Sequence, residues 1–162
     1  MANSSIIGNA KNKIIKEFIK DTEIVKAIDS STITSPEKLI NTHIFDYHQN
    51  PNTLNTVETF ITVQVHIPQS FSSNAIYINP TIEIWIISHY QHMIVKNIPK
   101  IIENRNDYLS RLIDAKLNGR DDFGIGELTL LSNIEGSYQA DYIYRKMVFE
   151  GTDLNDSLCE NE

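Results

Sequence analysis

Residues 104–132 read NRNDYLSRLIDAKLNGRDDFGIGELTLLS and decide the fold. Apolar side chains recur at spacings of three and four over residues 108–117, which predicts a helix with one buried face. Gly119 follows this run after one asparagine, and glycine accepts the left-handed conformation that commonly ends a helix. A polar loop and the glycine-containing turn at residues 123–126 come next, before a predicted strand over residues 127–132. The segment therefore predicts a helix, a loop and a strand in that order.

The chain on either side of this segment predicts further strands. Residues 57–67 alternate apolar and polar side chains until Pro68, as a half-buried strand does. Residues 81–90, TIEIWIISHY, are apolar on both faces, so we expect a central strand with Trp85 largely buried in its middle. Residues 138–149 are rich in Tyr, Ile, Val and Phe and predict a fourth strand.

The N-terminal part predicts a helix. Residues 4–28 carry an apolar stripe at helical spacing, with most lysines off that stripe. This amphipathic helix either packs on the protein's own sheet or serves as a docking arm for a neighbouring subunit. The motif Asn-Ile-Pro at residues 97–99 is expected to open the central helix, because proline suits a first helical turn.

These elements predict an α+β fold in which an antiparallel sheet of about four strands packs against the central helix and the N-terminal helix. Residues 1–150 are expected to form a single domain. Residues 151–162 are expected to form a flexible acidic tail, since the chain from Glu150 onward has five acids and no base.

Composition narrows the possible functions. The formal net charge is −7 and the pI is about 5.2, which argues against a surface that grips nucleic acid. The single cysteine, Cys159, excludes a disulfide framework. No apolar run approaches the roughly 18 residues that span a bilayer, and the N-terminus lacks a hydrophobic signal core. We therefore expect no membrane association and assembly in the cytoplasm.

Two groups of residues could carry chemistry. His89 and His92, together with two earlier histidines, are the nearest approach to a metal cluster, but a zinc site needs three or four ligands at a set spacing. Asp121, Asp122 and Glu127 could bind a divalent ion or act as a paired acid and base, as in nucleases. A loop beside a helix end is also an ordinary place for acids. We expect no catalytic site, no metal and no cofactor.

A third group is distinguished by the placement of its charges on the central helix and just past its end. These residues either form a solvated face or pair with the next subunit of a ring, where opposite charges fix register. The group comprises Arg105, Asp107, Arg111, Arg120, Asp121 and Asp122.

The chain resembles structural proteins of tailed bacteriophages of Gram-positive hosts. The resemblance lies in the order of its parts: a strand, a helix that bears Arg and Asp, the sequence LNG at the end of that helix, a polar loop and the sequence DFGIGELTL. The similar proteins lie at the head–tail neck or act as tail terminators. The resemblance covers residues 45–153 and is most specific over residues 105–130, with further support from Phe45, Tyr47 and residues 85–88.

This resemblance implies a virion subunit that forms a homomeric ring between the head connector and the tail tube. DNA would pass through the channel without specific binding. The excess of acids is in keeping either with an acidic lumen, supplied by the loops around Asp121 and Asp122 or by the acidic tail from Glu150, or with a soluble outer surface. Two alternatives stay open. One is a small metal-dependent phage nuclease that uses Asp121, Asp122 and Glu127, and the other is a monomeric adaptor that binds another protein through the N-terminal helix.

Overall fold

The N-terminal residues form two helices rather than one. The computed structural model describes residues 4–68 and 77–154, and in it α1 (Ser5–Lys20) is followed directly by α2 (Thr22–Ile28). Between them Asp21 is extended, and its carboxylate accepts the backbone N–H groups of Glu23 and Ile24 at 2.9 and 3.2 Å. The prediction of one continuous helix is wrong at this residue, because an aspartate N-cap starts a new helix there.

The remaining elements follow in chain order. The first half contains a 3₁₀ turn (Pro36–Leu39), β1 (Ile44–Phe45), α3 (Pro51–Leu54), β2 (Thr59–His66), β3 (Tyr77–Ile78), β4 (Thr81–His89) and a second 3₁₀ turn (Tyr90–His92). The second half contains α4 (Arg105–Leu117), β5 (Thr129–Tyr138), β6 (Tyr142–Glu150) and β7 (Asp153–Leu154).

The main sheet has five strands in the order β1-β2-β4-β6-β5. Strands β2, β4, β6 and β5 pair antiparallel, whereas β1 pairs parallel with β2, so the sheet is mixed rather than wholly antiparallel. β5 and β6 form a long hairpin that runs from Thr129 opposite Glu150 to Tyr138 opposite Tyr142. The predicted α+β class is confirmed, and β4 is central as expected.

The predicted central helix is α4, but it begins later than the proline motif indicated. Asn104 caps it by accepting the backbone N–H of Asp107 at 2.9 Å, and residues 97–99 precede it as a loop. Proline is compatible with a first turn but does not itself provide a cap, whereas asparagine does. At the other end Gly119 is left-handed (φ 78°), as the sequence predicted.

All three long helices pack on one face of the sheet. α1 buries Ala10, Ile14 and Phe18 against β2, so it is part of this core and not a free docking arm. The core side chains from the sheet and α4 are Ile61, Val63, Ile82, Ile84, Ile86, Met147, Phe149, Leu109, Ile113 and Leu117.

Trp85 lies on the opposite face and is only half-buried. It is partly buried there, against His48 and Tyr144 and not against the three long helices, which cover the other face. On the second face a smaller cluster of Phe45, Phe60, Ile87 and Tyr142 is covered by the segment around Leu54. Trp85 borders this cluster and remains partly open to solvent.

The C-terminal part is ordered beyond the predicted start of the tail. Gly151 is buried, and β7 pairs antiparallel with β3. The rest of the predicted tail, residues 155–162 with Cys159, lies outside the described residues. Among the described helices, none combines the length and the apolar character that a bilayer crossing requires.

Candidate functional site

Arg105 is the most deeply buried of the predicted charged residues. It stands at the first position of α4 with 1% of its surface exposed. Its Nε donates to the carbonyl of His92 at 2.6 Å and its Nη2 donates to Asp29 Oδ2 at 3.1 Å. The guanidinium also donates to the carbonyls of Ala27 and Ile94. Burial lowers the pKa of Arg105, and Asp29 offsets part of that effect. The expectation that Arg105 lies on an exposed edge is wrong, because α2 and the segment after β4 close over the start of α4.

A buried polar network extends from this arginine into the sheet. Asp29 Oδ2 lies 3.7 Å from Nε2 of His92, and Nδ1 of His92 lies 2.8 Å from Oγ1 of Thr59. Thr59 and Ser88 share a hydrogen bond of 2.8 Å, and Ser88 donates to Asn106 on α4 at 2.6 Å. A carboxylate, an imidazole and a hydroxyl in this order resemble a catalytic triad, in which the imidazole takes the proton of the hydroxyl and the carboxylate orients the imidazole. Thr59 and Ser88 are fully buried, however, so the network joins α2, β2, β4 and α4 without offering a nucleophile to a substrate.

The other predicted charges, except Asp121, have partners within the chain. Asp107 pairs with Arg145 on β6, and Arg111 binds Glu103 through two hydrogen bonds of 2.8 and 2.9 Å. A further ion group lies just past α4, where Arg120 binds Asp122 at 2.9 and 2.6 Å and Glu17 of α1 at 2.9 Å. The hydrogen bonds from Arg120 lower the pKa of both Asp122 and Glu17. Asp121 is exposed and makes no ion pair in the described part of the chain.

The structure does not bring the predicted metal ligands together. Over residues 4–68 and 77–154 there is no group of three or more His, Cys, Asp or Glu side chains that could hold a metal ion. The histidines have separate environments: His43 is buried 3.2 Å from Glu58, and His89 stacks on Tyr90. Asp122 is engaged by Arg120, while Glu127 is exposed on the loop before β5.

The second face of the sheet is covered only in part by the described residues. On it Trp85 packs on Tyr144 with ring centroids 4.7 Å apart and on His48 with ring centroids 5.4 Å apart. Lys146 lies 5.2 Å from the Trp85 ring centroid and pairs with Glu83 at 3.0 Å. Burial raises the pKa of Glu83, but hydrogen bonds from Lys146 and Trp85 outweigh it, so the net shift is downward. The side chains of Trp85 and Tyr144 are half-buried, and Ile134 on the edge strand β5 is exposed.

This face ends at β5, which forms one edge of the sheet. Along this strand Leu131 and Ile134 are 55% and 54% exposed, and Glu135 is its one charged residue. A bulge lies between Leu130 and Ser132. We call Leu131, Ile134, Trp85 and Tyr144 the edge patch. Sequence reasoning missed it because residues 129–138 lack clear alternation, so their exposure depends on which strand pairs with them.

The opposite edge of the sheet is also incompletely covered. β1 pairs with only two positions of β2, Ile61 and Thr62. The second half of β2, residues 63–66, therefore has no strand partner on that side in the described part of the chain.

A shallow depression of about 230 Å³ lies where α1 meets the loop after α4. Its lining is mainly cationic, in contrast to the acidic protein as a whole. The residues are Lys13, Lys16, Glu17, Lys20, Arg120, Asp122 and Phe123.

A comparison with models of known protein families identifies the family of this chain. The model of the family described as YomW matches residues 12–150. The chain belongs to the YomW family. The family name comes from a gene of a phage region in Bacillus, which associates this YomW-family chain with a phage. The match begins within α1 and ends at the last residue of β6, so it includes both sheet edges and the edge patch. A search of the curated proteins finds no match to this YomW-family chain.

Proposed function

We propose that the protein is a structural virion subunit of a tailed phage, forming a homomeric ring at the neck or tail terminator between the head connector and the tail tube. It would assemble in the host cytoplasm and act in the virion. Membership of a phage-associated family supports this proposal. The observation that carries it is the edge strand β5, which among the described strands pairs only with β6 and exposes Leu131 and Ile134.

A long sheet edge with exposed apolar side chains is usually paired with a strand of another chain or covered by another segment. Monomeric sheet proteins usually protect long edges with lysines, prolines, inward-pointing charges or a covering loop, because unpaired N–H and C=O groups recruit other strands. β5 has ten residues, one acid and a single bulge, and it displays two large apolar side chains. Pairing with a strand of another chain would satisfy its backbone groups and cover Leu131 and Ile134.

Among the described residues, the sheet has two different edges that lack a complete strand partner, and a ring could use both as contact surfaces. A closed ring with more than two subunits uses two dissimilar surfaces on each subunit, so that each contact is head-to-tail. The free edge of β5 and the free half of β2 at residues 63–66 are such a pair of surfaces. If they meet, the sheet of one subunit continues into the sheet of the next.

The edge patch adds side chains that suit a subunit contact. In the sheet register Trp85 lies opposite Lys146, and Lys146 lies opposite Ile134, so the three form one row across to the edge. Tryptophan and tyrosine contribute disproportionately to binding energy at interfaces. This row replaces the helix charges as the candidate contact, since most of those charges are engaged within the chain.

The acidic character of the protein fits passage of DNA through such a ring. Proteins bind DNA largely through lysine and arginine contacts to its phosphates, and a net charge of −7 disfavours such binding. Asp121 and Glu127 are exposed on the loop between α4 and β5 and could line the channel.

Replacing Ile134 with lysine tests the edge contact. Ile134→Lys places a charge on the exposed edge and should prevent strand pairing between subunits. Ile102→Lys is the matched control, because Ile102 is 98% exposed on the loop before α4, away from the edge. Size-exclusion chromatography with light scattering, and electron microscopy of particles that carry each variant, measure assembly.

We expect Ile102→Lys to assemble like the native protein and Ile134→Lys to remain monomeric and absent from the neck. Equal assembly of the two variants would remove β5 from the contact. A labelled native chain that is missing from both the neck and the tail of particles would overturn the proposed function.

A further inference from the structure

The basic depression is an exception in an acidic protein. α1 contains four lysines and one glutamate, a formal charge of +3, so the rest of the chain must carry −10 to give the total of −7. Three of these lysines, Lys13, Lys16 and Lys20, line the depression together with Arg120. Positive charge is thus concentrated on one exposed helix face.

The acids beside these cations are already engaged. Asp122 and Glu17 both bind Arg120, and Glu17 also lies 3.5 Å from Lys20. Lys13 donates to the backbone carbonyl of Asp122 at 3.0 Å and shares the negative charge of that residue's carboxylate with Arg120, which binds it directly. Lys16 is exposed and has no hydrogen bond or ion pair with the described residues. The six charged side chains of the depression sum to +2.

The C-terminal part of the chain passes close to the same loop. A Cβ atom on Gly126 would lie 2.0 Å from the carbonyl oxygen of Thr152, and one on Gly151 would lie 1.9 Å from that of Ile125. The backbones at residues 151–152 and 125–126 are therefore in direct contact. Two residues before Gly126, the Cβ position of Gly124 lies 3.8 Å from Nζ of Lys13.

These contacts set the distance that the following residues must cover. Residues 124 and 126 are at most about 7 Å apart along the chain, at roughly 3.3 to 3.6 Å per residue. By the same measure the eight residues 155–162 reach roughly 26 to 29 Å when extended. The depression therefore lies within reach of this segment.

We propose that residues 155–162 dock on the basic face of α1 in the same chain and cover the depression lined by Lys13, Lys16 and Lys20. The segment reads NDSLCENE and contains Asp156, Glu160 and Glu162 with no base. Its carboxylates carry negative charge that complements the net +2 of the charged side chains lining the depression. Covering by the chain's own segment takes away a surface that would otherwise hold phosphates of passing DNA. The contact forms within one chain and does not depend on ring assembly.

The single cysteine makes the contact measurable, because Cys159 lies within the segment and is unique in the chain. A nitroxide spin label on Cys159 should broaden the backbone amide signals of residues 13–20 in NMR spectra of the isolated full chain. The double variant Lys13→Glu with Lys16→Glu should abolish this broadening, and high salt should weaken it. Lys96→Glu with Lys100→Glu is the matched control, because both lysines are exposed outside the depression and carry the same change of charge.

Amide spectra of both double variants report whether the fold is kept. Broadening in the control but not in the Lys13 and Lys16 variant supports the contact. No broadening of residues 13–20 in the native chain, or equal loss in both variants, overturns it. A mixture of spin-labelled chain with isotope-labelled Cys159→Ser chain should show no broadening, and broadening there would contradict docking within one chain.

Discussion

Arg105 offers the sharpest test of how the domain is held together. The change Arg105→Met keeps most of the apolar stem and removes the guanidinium. Four acceptors then lose their donor: the carbonyls of Ala27, His92 and Ile94 and the carboxylate of Asp29.

The expected loss in the free energy of unfolding depends on which of these acceptors water can reach. Ile94 is 68% exposed and the side chain of Asp29 is 37% exposed, so both can be rehydrated. Ala27 is fully buried, and the carbonyl of His92 faces the same site. A buried acceptor left without a partner costs about 1 to 3 kcal/mol. With two such acceptors, the carbonyls of Ala27 and His92, we expect the free energy of unfolding to fall by about 2 to 6 kcal/mol, a large part of the roughly 5 to 15 kcal/mol of a typical domain.

Urea unfolding followed by Trp85 fluorescence and far-ultraviolet circular dichroism measures this loss, with the slope of free energy against urea expected to stay unchanged. Arg111→Met is the matched control. Its pair with Glu103 has side chains 55% and 32% exposed, and such surface pairs contribute about 0 to 1 kcal/mol. A loss in Arg105→Met no larger than in Arg111→Met would refute the reasoning, because it would mean that the buried acceptors find other donors.

Two further predictions concern pH and backbone packing. Burial and the charge of Arg105 lower the pKa of His92, and its acidic neighbours offset this only in part, so the folded state favours the neutral imidazole. The contribution of His92 to the stability of the fold is therefore complete above the unfolded pKa of about 6.5. It should fall as the pH drops through the folded pKa. Urea unfolding at a series of pH values below about 6.5 should show this decline. A His92→Asn variant that keeps the full decline would assign it to another group. Gly126→Ala should destabilise more than Gly119→Ala in the same assay: both residues have left-handed φ angles, 77° and 78°, but only Gly126 has a backbone, that of Thr152, within 4 Å of the added Cβ. Equal losses, each near the roughly 1 to 2 kcal/mol of the φ penalty alone, would show that residues 151–152 move aside without cost.

Local patterns in the sequence predicted the elements well where one face of an element is buried. The apolar spacing that ends at Leu117 and the glycine after Asn118 predicted the body and the end of α4, and alternation predicted β2. The same patterns did not locate breaks that depend on a single cap. Asp21 divides the N-terminal helix, and Asn104 starts α4, because their side chains accept backbone N–H groups that no periodicity reports.

The sequence by itself determined the α+β class, the central strand and the acidic character, because these depend on hydrophobic periodicity and composition. Only the tertiary structure decided which of the charged side chains are buried and which stay exposed. Arg105 and Arg111 are both arginines on α4, yet the first is enclosed by α2 and the segment after β4 while the second stays at the surface. It also decided that Trp85 lies on the face away from the three long helices and that β5 is an edge strand of the main sheet, since exposure depends on which faces the helices cover and which strands pair. Such information lies in contacts between distant residues, and a local pattern carries no record of them.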